Sequence, residues 1–352
     1  KLKTLKIEVF RSQFLYGRQE MSQPVAIVGL SLRYPGFCGP AAFFDSCRSV
    51  HSRLVRFKPE EVRPYLADHP RGQSHPYRIN NVQYGSIRDM SWIDSARFRV
   101  PPSDIDGDPS PFLCLQVASE ALLDHCRDRG QSFIPKERTG VVIGRGDHPH
   151  RGLWSGLQGG SGFELLRELL LERRDLFTEN QVDAVVETLL ERMRPYPSPS
   201  IAASLVSNVI SGLVANRLDL QGPNFLVDAA CASAIVAIQQ AVRSLEQYET
   251  DLMLVGAVQA TMSVPIIQMF SMIGAISNDD VQPFNRLLDG TLLSEGVGFI
   301  VLKRLDDARR DGDRIYSVIR GFGLASDGND SSILAPSSRG QILSMRRAYD
   351  SL

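Results

Sequence analysis

The chain of 352 residues lacks an excess of either charge: 39 lysines and arginines face 40 aspartates and glutamates, a formal net charge of −1. Without a global basic field, neither nucleic acid nor an anionic membrane is expected as a partner. Long apolar runs are also missing. Stretches such as VAIVGL at Val25–Leu30 fall far short of the ~20 residues that cross a bilayer. No charged start, apolar segment and cleavage site open the chain, so a secretory leader is not expected. Cysteine is scarce: Cys38, Cys47, Cys114, Cys126 and Cys231 form an odd set without CxxC spacing. That argues against a disulfide framework or a zinc site and makes a reducing, cytoplasmic setting the default. No tandem repeat at a short fixed period is visible.

What is present fits a globular α/β protein. The chain is 43% hydrophobic and 22% charged, near globular averages. Its length allows one large domain or two modest ones of ~150 residues. It begins at Lys1 rather than methionine, the expected mark of a fragment, a processed product or part of something longer. Residues 1–23 read as a basic linker or N-terminal extension, and globular patterning starts at Pro24. RGQILSMRRAYDSL at the other end reads as an amphipathic helix, with Ile342, Leu343, Met345, Ala348 and Tyr349 apolar. It lacks a capping residue, so a chain that continues is expected.

Between these ends, strand and helix patterns alternate. An apolar run at Val25–Gly29 precedes a helix around Ala41–Cys47. Residues 52–111 are rich in Pro, Arg and Asp and read as irregular connections. A helix is expected over Phe112–Arg127 and a buried strand over Thr139–Gly144. Residues 145–200 read as a helical insertion that covers a surface or borders a site entrance. Thr178-Glu179-Asn180-Gln181 is a capping box, and Val182, Val185, Val186, Leu189, Leu190 and Met193 share one apolar face. Pro195, Pro197 and Pro199 stop that helix. A helix over Ala202–Arg217, a turn at Gly222-Pro223 and a strand NFLVDA (Asn224–Ala229) follow. Then come a helix from Ala232 to Gln247 and a strand over Asp251–Val258. Two further strands, Gly296–Leu305 and Arg314–Ser326, are joined by the charged DDARRDGD. This alternation implies βαβ crossovers and a helix-covered sheet.

Cys231 is the leading candidate for chemistry. It follows a strand and opens a helix, in VDAACASAIVAI. Helix N-terminal N–H groups favour a thiolate, and the small neighbours Ala229, Ala230, Ala232, Ser233 and Ala234 permit a sharp turn and close approach by a thin substrate. Taken alone, the residue fits either an activated thiol or a small core side chain. His148-Pro149-His150 suggests a solvated loop rather than a metal site, and no metal ligand set is expected. Gly321-x-Gly323 lacks the third glycine and following helix of a dinucleotide loop.

VDAACASA resembles the active-site loop of β-ketoacyl synthases, the condensing enzymes of fatty-acid and polyketide assembly, with Asp228, Ala230, Cys231, Ala232 and Ser233 on its motif. VAIVGLSLRYPG is similar to the family's opening strand, KERTGVVIGRG to its second conserved strand, and NRLDLQGPN to the approach to the nucleophile. The block from Pro283 to Gly328 is similar to the segment after it. DPSPFLCLQVASEAL and the insertion resemble the iterative type I branch, which includes polyunsaturated-fatty-acid and heterocyst-glycolipid synthases.

The resemblance implies a thiolase-like fold of two pseudo-symmetric α/β halves with helices between mixed sheets. Residues 24–258 would form the N-terminal half, with the insertion at about 145–200, and residues 259–352 an incomplete second half that leaves apolar surface exposed. It implies that Cys231 accepts an acyl group from a phosphopantetheine thioester on an acyl carrier protein, with no cofactor bound by the domain itself. A malonyl-type thioester then condenses with it by decarboxylation. A homodimer is implied across the strand at Gly222–Val227, with other synthase domains in cis. Glu295 would be structural rather than catalytic, and Asp228 would fix the turn. The family's two histidines, its lysine and its second oxyanion donor are expected beyond Leu352. None of His51, His69, His75, His125, His148 and His150 follows Cys231, so these residues alone are not expected to condense. The competing expectation is a non-catalytic domain that retains dimer or carrier-protein contacts.

Overall fold

A computed structural model of the protein describes residues 23–49, 54–58, 62, 78–79, 81–87, 90–101, 108–127, 130, 133–146, 161–173, 175–192, 206–278, 281, 285–329 and 335–351. Nearly all of the N-terminal linker, the His148–His150 pair, Met193 and the three stop prolines lie outside the described residues. In chain order the elements are β1 (Val25–Tyr34), β2 (Phe37–Cys38), α1 (Gly39–Ser49), β3 (Leu54–Arg56), β4 (Gln83–Gly85), α2 (Ser95–Phe98) and α3 (Ser110–His125). Next come β5 (Thr139–Gly144), α4 (Ser161–Glu172), α5 (Glu179–Arg192), α6 (Val209–Leu218), β6 (Asn224–Val227), α7 (Ser233–Glu246) and β7 (Leu252–Gln259). The last are α8 (Val264–Met272), β8 (Gly296–Arg304), α9 (Leu305–Arg310), β9 (Ser317–Ile319) and α10 (Ser338–Asp350).

Seven strands form one mixed sheet in the order β2-β1-β8-β7-β5-β6, with β9 also paired to β1. β5 runs parallel to β6 and β7, whereas β8 is antiparallel to β7 and β1. The β6–α7–β7 unit therefore crosses over β5, as the alternating pattern implied. β8 lies at the sheet centre although it follows residue 258 in sequence, so the sheet draws on both sides of that expected boundary.

The central strands are apolar on both faces because both faces are covered. Val141 and Ile143 of β5, Leu252 and Leu254 of β7, and Val297, Phe299 and Val301 of β8 point toward α3 and α6. Val142, Met253, Val255 and Leu302 point the other way, toward Ala237, Ala241, Val242 and Leu245 of α7. α3 is buried on almost every side from Ser110 to Leu122, polar Gln116 and Ser119 included. Gly256 of β7 lies under the Phe299 ring, where an added Cβ would come within 2.4 Å of ring carbons.

Arg304, at the end of β8, fixes the far end of α7. Its guanidinium donates to the carbonyls of Leu245 (3.0 Å) and Thr250 (2.7 Å) and pairs with Asp251 and Asp307. The cation thus reinforces one carbonyl of the last turn of α7, Leu245, which also accepts the Tyr248 N–H at 3.2 Å, and ties it to the loop beyond at Thr250.

The helix expected over Ala202–Arg217 begins, among the described residues, at Val209. The strand expected over Arg314–Ser326 shrinks to Ser317–Ile319, the part that pairs with Val25–Ile27 of β1. Part of the charged DDARRDGD is not a connection but α9, with Asp306 and Asp307 in its first turn and Arg309 and Arg310 in its last, complementing the helix dipole. Within the stretch read as irregular, β3 and β4 pair with each other over a small core of Phe57, Tyr84, Ile266 and Ile267.

The insertion forms a hairpin of α4 and α5 with its own cluster of Phe163, Val182 and Val186. Half of the capping box is formed: Gln181 Oε1 accepts the Thr178 N–H at 3.0 Å, but the Thr178 hydroxyl donates to the same Oε1, and the Gln181 N–H goes to the Thr178 carbonyl. Val185, placed on the same apolar face from the sequence, is 44% exposed. On α10, Ile342, Leu343, Met345 and Tyr349 stand in solvent.

Candidate active site

Cys231 sits where parallel strand β6 ends and α7 begins. Carboxyl ends of parallel strands are where α/β sheets hold ligands, because strand-to-helix turns leave backbone N–H groups free there. The turn is strained and tied down. Ala230 has φ 50°, a left-handed conformation uncommon for a residue with a Cβ. Asp228 Oδ1 accepts the Ala230 N–H at 2.8 Å. The Ser233 hydroxyl accepts the Ala229 N–H at 2.9 Å and donates to the Ala230 carbonyl at 2.6 Å. A one-turn 3-10 helix at Ala230–Ala232 then runs into α7. Cys231 itself is exposed.

The thiol borders a cleft of about 960 Å³ whose apolar lining includes Ile238, Val255, Val258, Met262, Phe270 and Leu293. Gly144, at the end of β5, backs the turn. A Cβ there would lie 2.6 Å from the carbonyl carbon and oxygen of Ser233, so only glycine lets β5 and the start of α7 come this close.

One acidic group, Glu295, lines the cleft, and a second, Asp289, is held nearby in the chain. Glu295, 7% exposed, accepts the N–H of Met262 (2.9 Å) through Oε1, and the N–H of Ile87 (2.6 Å) and the hydroxyl of Ser86 (2.9 Å) through Oε2. It joins the end of β4, the start of α8 and the start of β8. Asp289 is held by the Ser277 hydroxyl at 2.6 Å and by the Asn278 side-chain amide at 2.7 Å. Those hydrogen bonds lower its pKa to about 2.

Beneath the turn lies a buried ion pair that no sequence pattern announced. Arg145 follows β5, and its N–H donates to Val227, the last residue of β6, at 3.0 Å. Its guanidinium lies 3.4 Å from Asp108, whose carboxylate also takes the N–H and hydroxyl of Ser110 at the start of α3. The Arg145 charge acts on Cys114 of α3, and the residue also lines the cleft that Cys231 borders. Burial pushes the Cys114 thiol strongly up, and burial followed by the Asp313 charge raises Cys126. Cys38 and Cys47 are exposed on β2 and α1.

Of the residues singled out in sequence, Asp228, Cys231 and Ser233 converge on one turn, and Glu295 reaches the same cleft. His125 is placed elsewhere, at the end of α3 and 3.9 Å from Asp313. Among the described residues no group of His, Cys, Asp and Glu is arranged to hold a metal ion, and no helix is long and apolar enough to cross a membrane. The Gly321-x-Gly323 pair is packing rather than a phosphate loop: a Cβ on Gly323 would run into the backbone of Ser344 and Ala348 in α10.

A sequence model described as Beta-ketoacyl synthase, N-terminal domain, matches residues 22–308. A phenolphthiocerol/phthiocerol polyketide synthase of Mycobacterium tuberculosis (strain ATCC 25618 / H37Rv) is 29% identical over 336 residues, 94% of this chain and 16% of that protein. The 6-methylsalicylic acid synthase of Penicillium terrestre is 27% identical over 338 residues, with 94% and 16% covered. In three dimensions the chain is similar to the ketosynthase from module 6 of the bacillaene synthase of Bacillus subtilis 168. The TM-score is 0.69 at 24% identity, over 93% of this chain and 48% of that one. An oxazolomycin ketosynthase domain from Streptomyces albus JA3453 gives a TM-score of 0.72 at 22% identity, over 93% and 52%. The chain thus spans about a sixth of the synthases and about half of the ketosynthase chains it matches, and its fold is the thiolase-like fold of those domains.

Proposed function

The chain belongs to the β-ketoacyl synthase family, and we propose that Cys231 is the acyl-accepting nucleophile of a ketosynthase domain in a multidomain polyketide or fatty-acid synthase. The observation that carries this is the placement of an exposed cysteine on a tied strand-to-helix turn at the mouth of an apolar cleft. The Cys231 thiolate attacks the thioester carbonyl of an acyl group delivered on the phosphopantetheine arm of an acyl carrier protein. The arm's thiolate leaves and an acyl-cysteine remains. A malonyl-type thioester then loses carbon dioxide, and its enolate carbon attacks the acyl carbonyl. Cys231 leaves as thiolate, and the product is a β-ketoacyl thioester two carbons longer. The backbone N–H of Cys231 is the first oxyanion donor, and the apolar walls keep water from the acyl-cysteine.

On this reading residues 24–258 form the N-terminal half, with the insertion at about 145–200, after an extension at 1–23, and residues 259–352 belong to the second half. DPSPFLCLQVASEAL places the domain nearer the iterative branch. It works in the cytoplasm, with its other synthase domains in cis. β6 is the sheet edge, with Phe225 37% exposed, and it is the proposed seam of a homodimer. The second reading is a domain that docks and holds an acyl group without extending it.

The test is to incubate the 352-residue chain with acyl and malonyl carrier-protein thioesters and follow intact mass. Acyl transfer that the Cys231→Ala variant lacks is expected, without release of β-ketoacyl product. Acylation unaffected by C231A would overturn the assignment of the nucleophile. Product formation would overturn the claim that these residues alone cannot condense.

A further inference from the structure

The Ser233 hydroxyl makes two hydrogen bonds in opposite senses within four residues. It accepts from the N–H of Ala229 and donates to the carbonyl of Ala230. A hydroxyl has one proton and two lone pairs, so both bonds form at once. The group spanned is the left-handed Ala230, φ 50°. An alanine held there is strained by its Cβ, and left free it would turn back to the right-handed or extended regions. Asp228 holds the Ala230 N–H, so its side grips that residue from the N-terminal end, while Ser233 grips its carbonyl. The peptide between Ala230 and Cys231 carries both this carbonyl and the N–H of Cys231. Fixing the carbonyl therefore fixes the direction in which the N–H points.

Ser233 is itself immobilised. It is 4% exposed, it is the first residue of α7, and the end of β5 presses on its backbone at Gly144. The far end of α7 is anchored by Arg304. The hydroxyl is thus a fixed point from which the turn is suspended.

From this geometry we infer that Ser233 is a positioning residue: a latch that holds Ala230 left-handed and so sets the Sγ and N–H of Cys231 toward the cleft. The inference rests on the proposed role of Cys231 as nucleophile. It assigns Ser233 no contact with substrate; the residue acts through the peptide that precedes Cys231.

The experiment is competitive alkylation of the full 352-residue chain with iodoacetamide, with peptide mass spectrometry reporting the rate at each cysteine. Cys38 and Cys47 are exposed and lie on β2 and α1, so they serve as internal references. Cys231 in the parent chain is expected to react faster than both. If it does not, the reading of Cys231 as an activated nucleophile fails, whatever Ser233 does. Given that rate, Ser233→Ala is expected to slow Cys231 about tenfold relative to Cys38 and Cys47, a change that general loosening of the fold would not produce. Ser233→Thr, which keeps the hydroxyl, retains most of the rate. Ala230→Gly added to Ser233→Ala removes the strain of the left-handed position and restores most of the loss, or restores folding if S233A alone does not fold. A rate for S233A within twofold of the parent overturns the latch. So does failure of A230G to recover the rate or the fold.

Discussion

Glu295 gives the sharpest test of how the cleft is held together. Its carboxylate is buried and receives two backbone N–H groups, from Ile87 and Met262, and the Ser86 hydroxyl. Those donors come from two segments, Ser86–Ile87 and Met262, which lie 208 and 33 residues from Glu295 when counted from Ile87 and Met262, so the carboxylate replaces a layer of backbone pairing that the irregular rim lacks. Glu295→Ala leaves both buried amides without an acceptor, and each unsatisfied buried group costs about 1–3 kcal/mol, so about 4 kcal/mol of stability is lost. Glu295→Gln keeps one acceptor oxygen but turns an amide NH2 toward one of the N–H groups. One buried donor is then unsatisfied, for a loss of about 2 kcal/mol. Urea titration with linear extrapolation measures both values. In the same samples, alkylation of Cys231 in E295Q is expected within threefold of the parent, because the carboxylate holds the rim and takes no part in activating the thiol. An E295A chain within 1 kcal/mol of the parent would refute the hydrogen-bond argument. An E295Q chain of parent stability in which Cys231 no longer takes an acyl group would move Glu295 from scaffold to chemistry.

Further outcomes follow from the same geometry. Asp108→Ala strands the buried Arg145 guanidinium and removes the acceptor at the start of α3; a loss of about 3–5 kcal/mol is expected by urea titration, and one below 1 kcal/mol would refute it. Gly144→Ala drives a methyl group against the Ser233 backbone, so about 1–3 kcal/mol of destabilisation is expected together with slower alkylation of Cys231. Parent-like values for both would mean that β5 does not press on the turn. The acid limit is set in part by Asp289, whose pKa is lowered from 3.8 to about 2 by Ser277 and Asn278, and by Asp251, lowered by Arg138. A carboxylate with a depressed folded-state pKa stabilises the fold above its unfolded value and loses that contribution as pH falls through the folded one. The Asp289 contribution is therefore full above about pH 4 and gone below about pH 2. Asp289→Asn should flatten the fall in melting temperature across that window, and an unchanged slope would count against it.

Much of this architecture is legible in the residues. Thr139–Gly144 is buried throughout because it is covered on both faces, and its limits match β5. α3 and α7 are visible as periodic runs, with ends within two residues of those observed. The elements that pattern reading misses are hidden for different reasons. DDARRDGD carries no apolar face to reveal α9, and its helical turn is favoured by charges that suit the dipole. α8 (VPIIQMFSM) is apolar without clear periodicity, so nothing in its pattern separates it from a connection. β9 is short because only Ser317–Ile319 finds a partner in β1, which pattern alone cannot show.

The sequence by itself determined the family and the strand–turn–helix around Cys231, because close approach demands small residues and a buried strand demands apolar ones. Only the tertiary structure decided that β8 inserts between β1 and β7, that Arg145 pairs with Asp108 across 37 residues, and that Glu295 joins three distant segments. It also decided that Ser233 reaches back over Cys231 to hold a left-handed alanine. These are long-range or dihedral facts. A periodic pattern records which side of an element faces the core, but it does not record which distant group meets a polar side chain there, or which backbone angle a crowded turn must adopt.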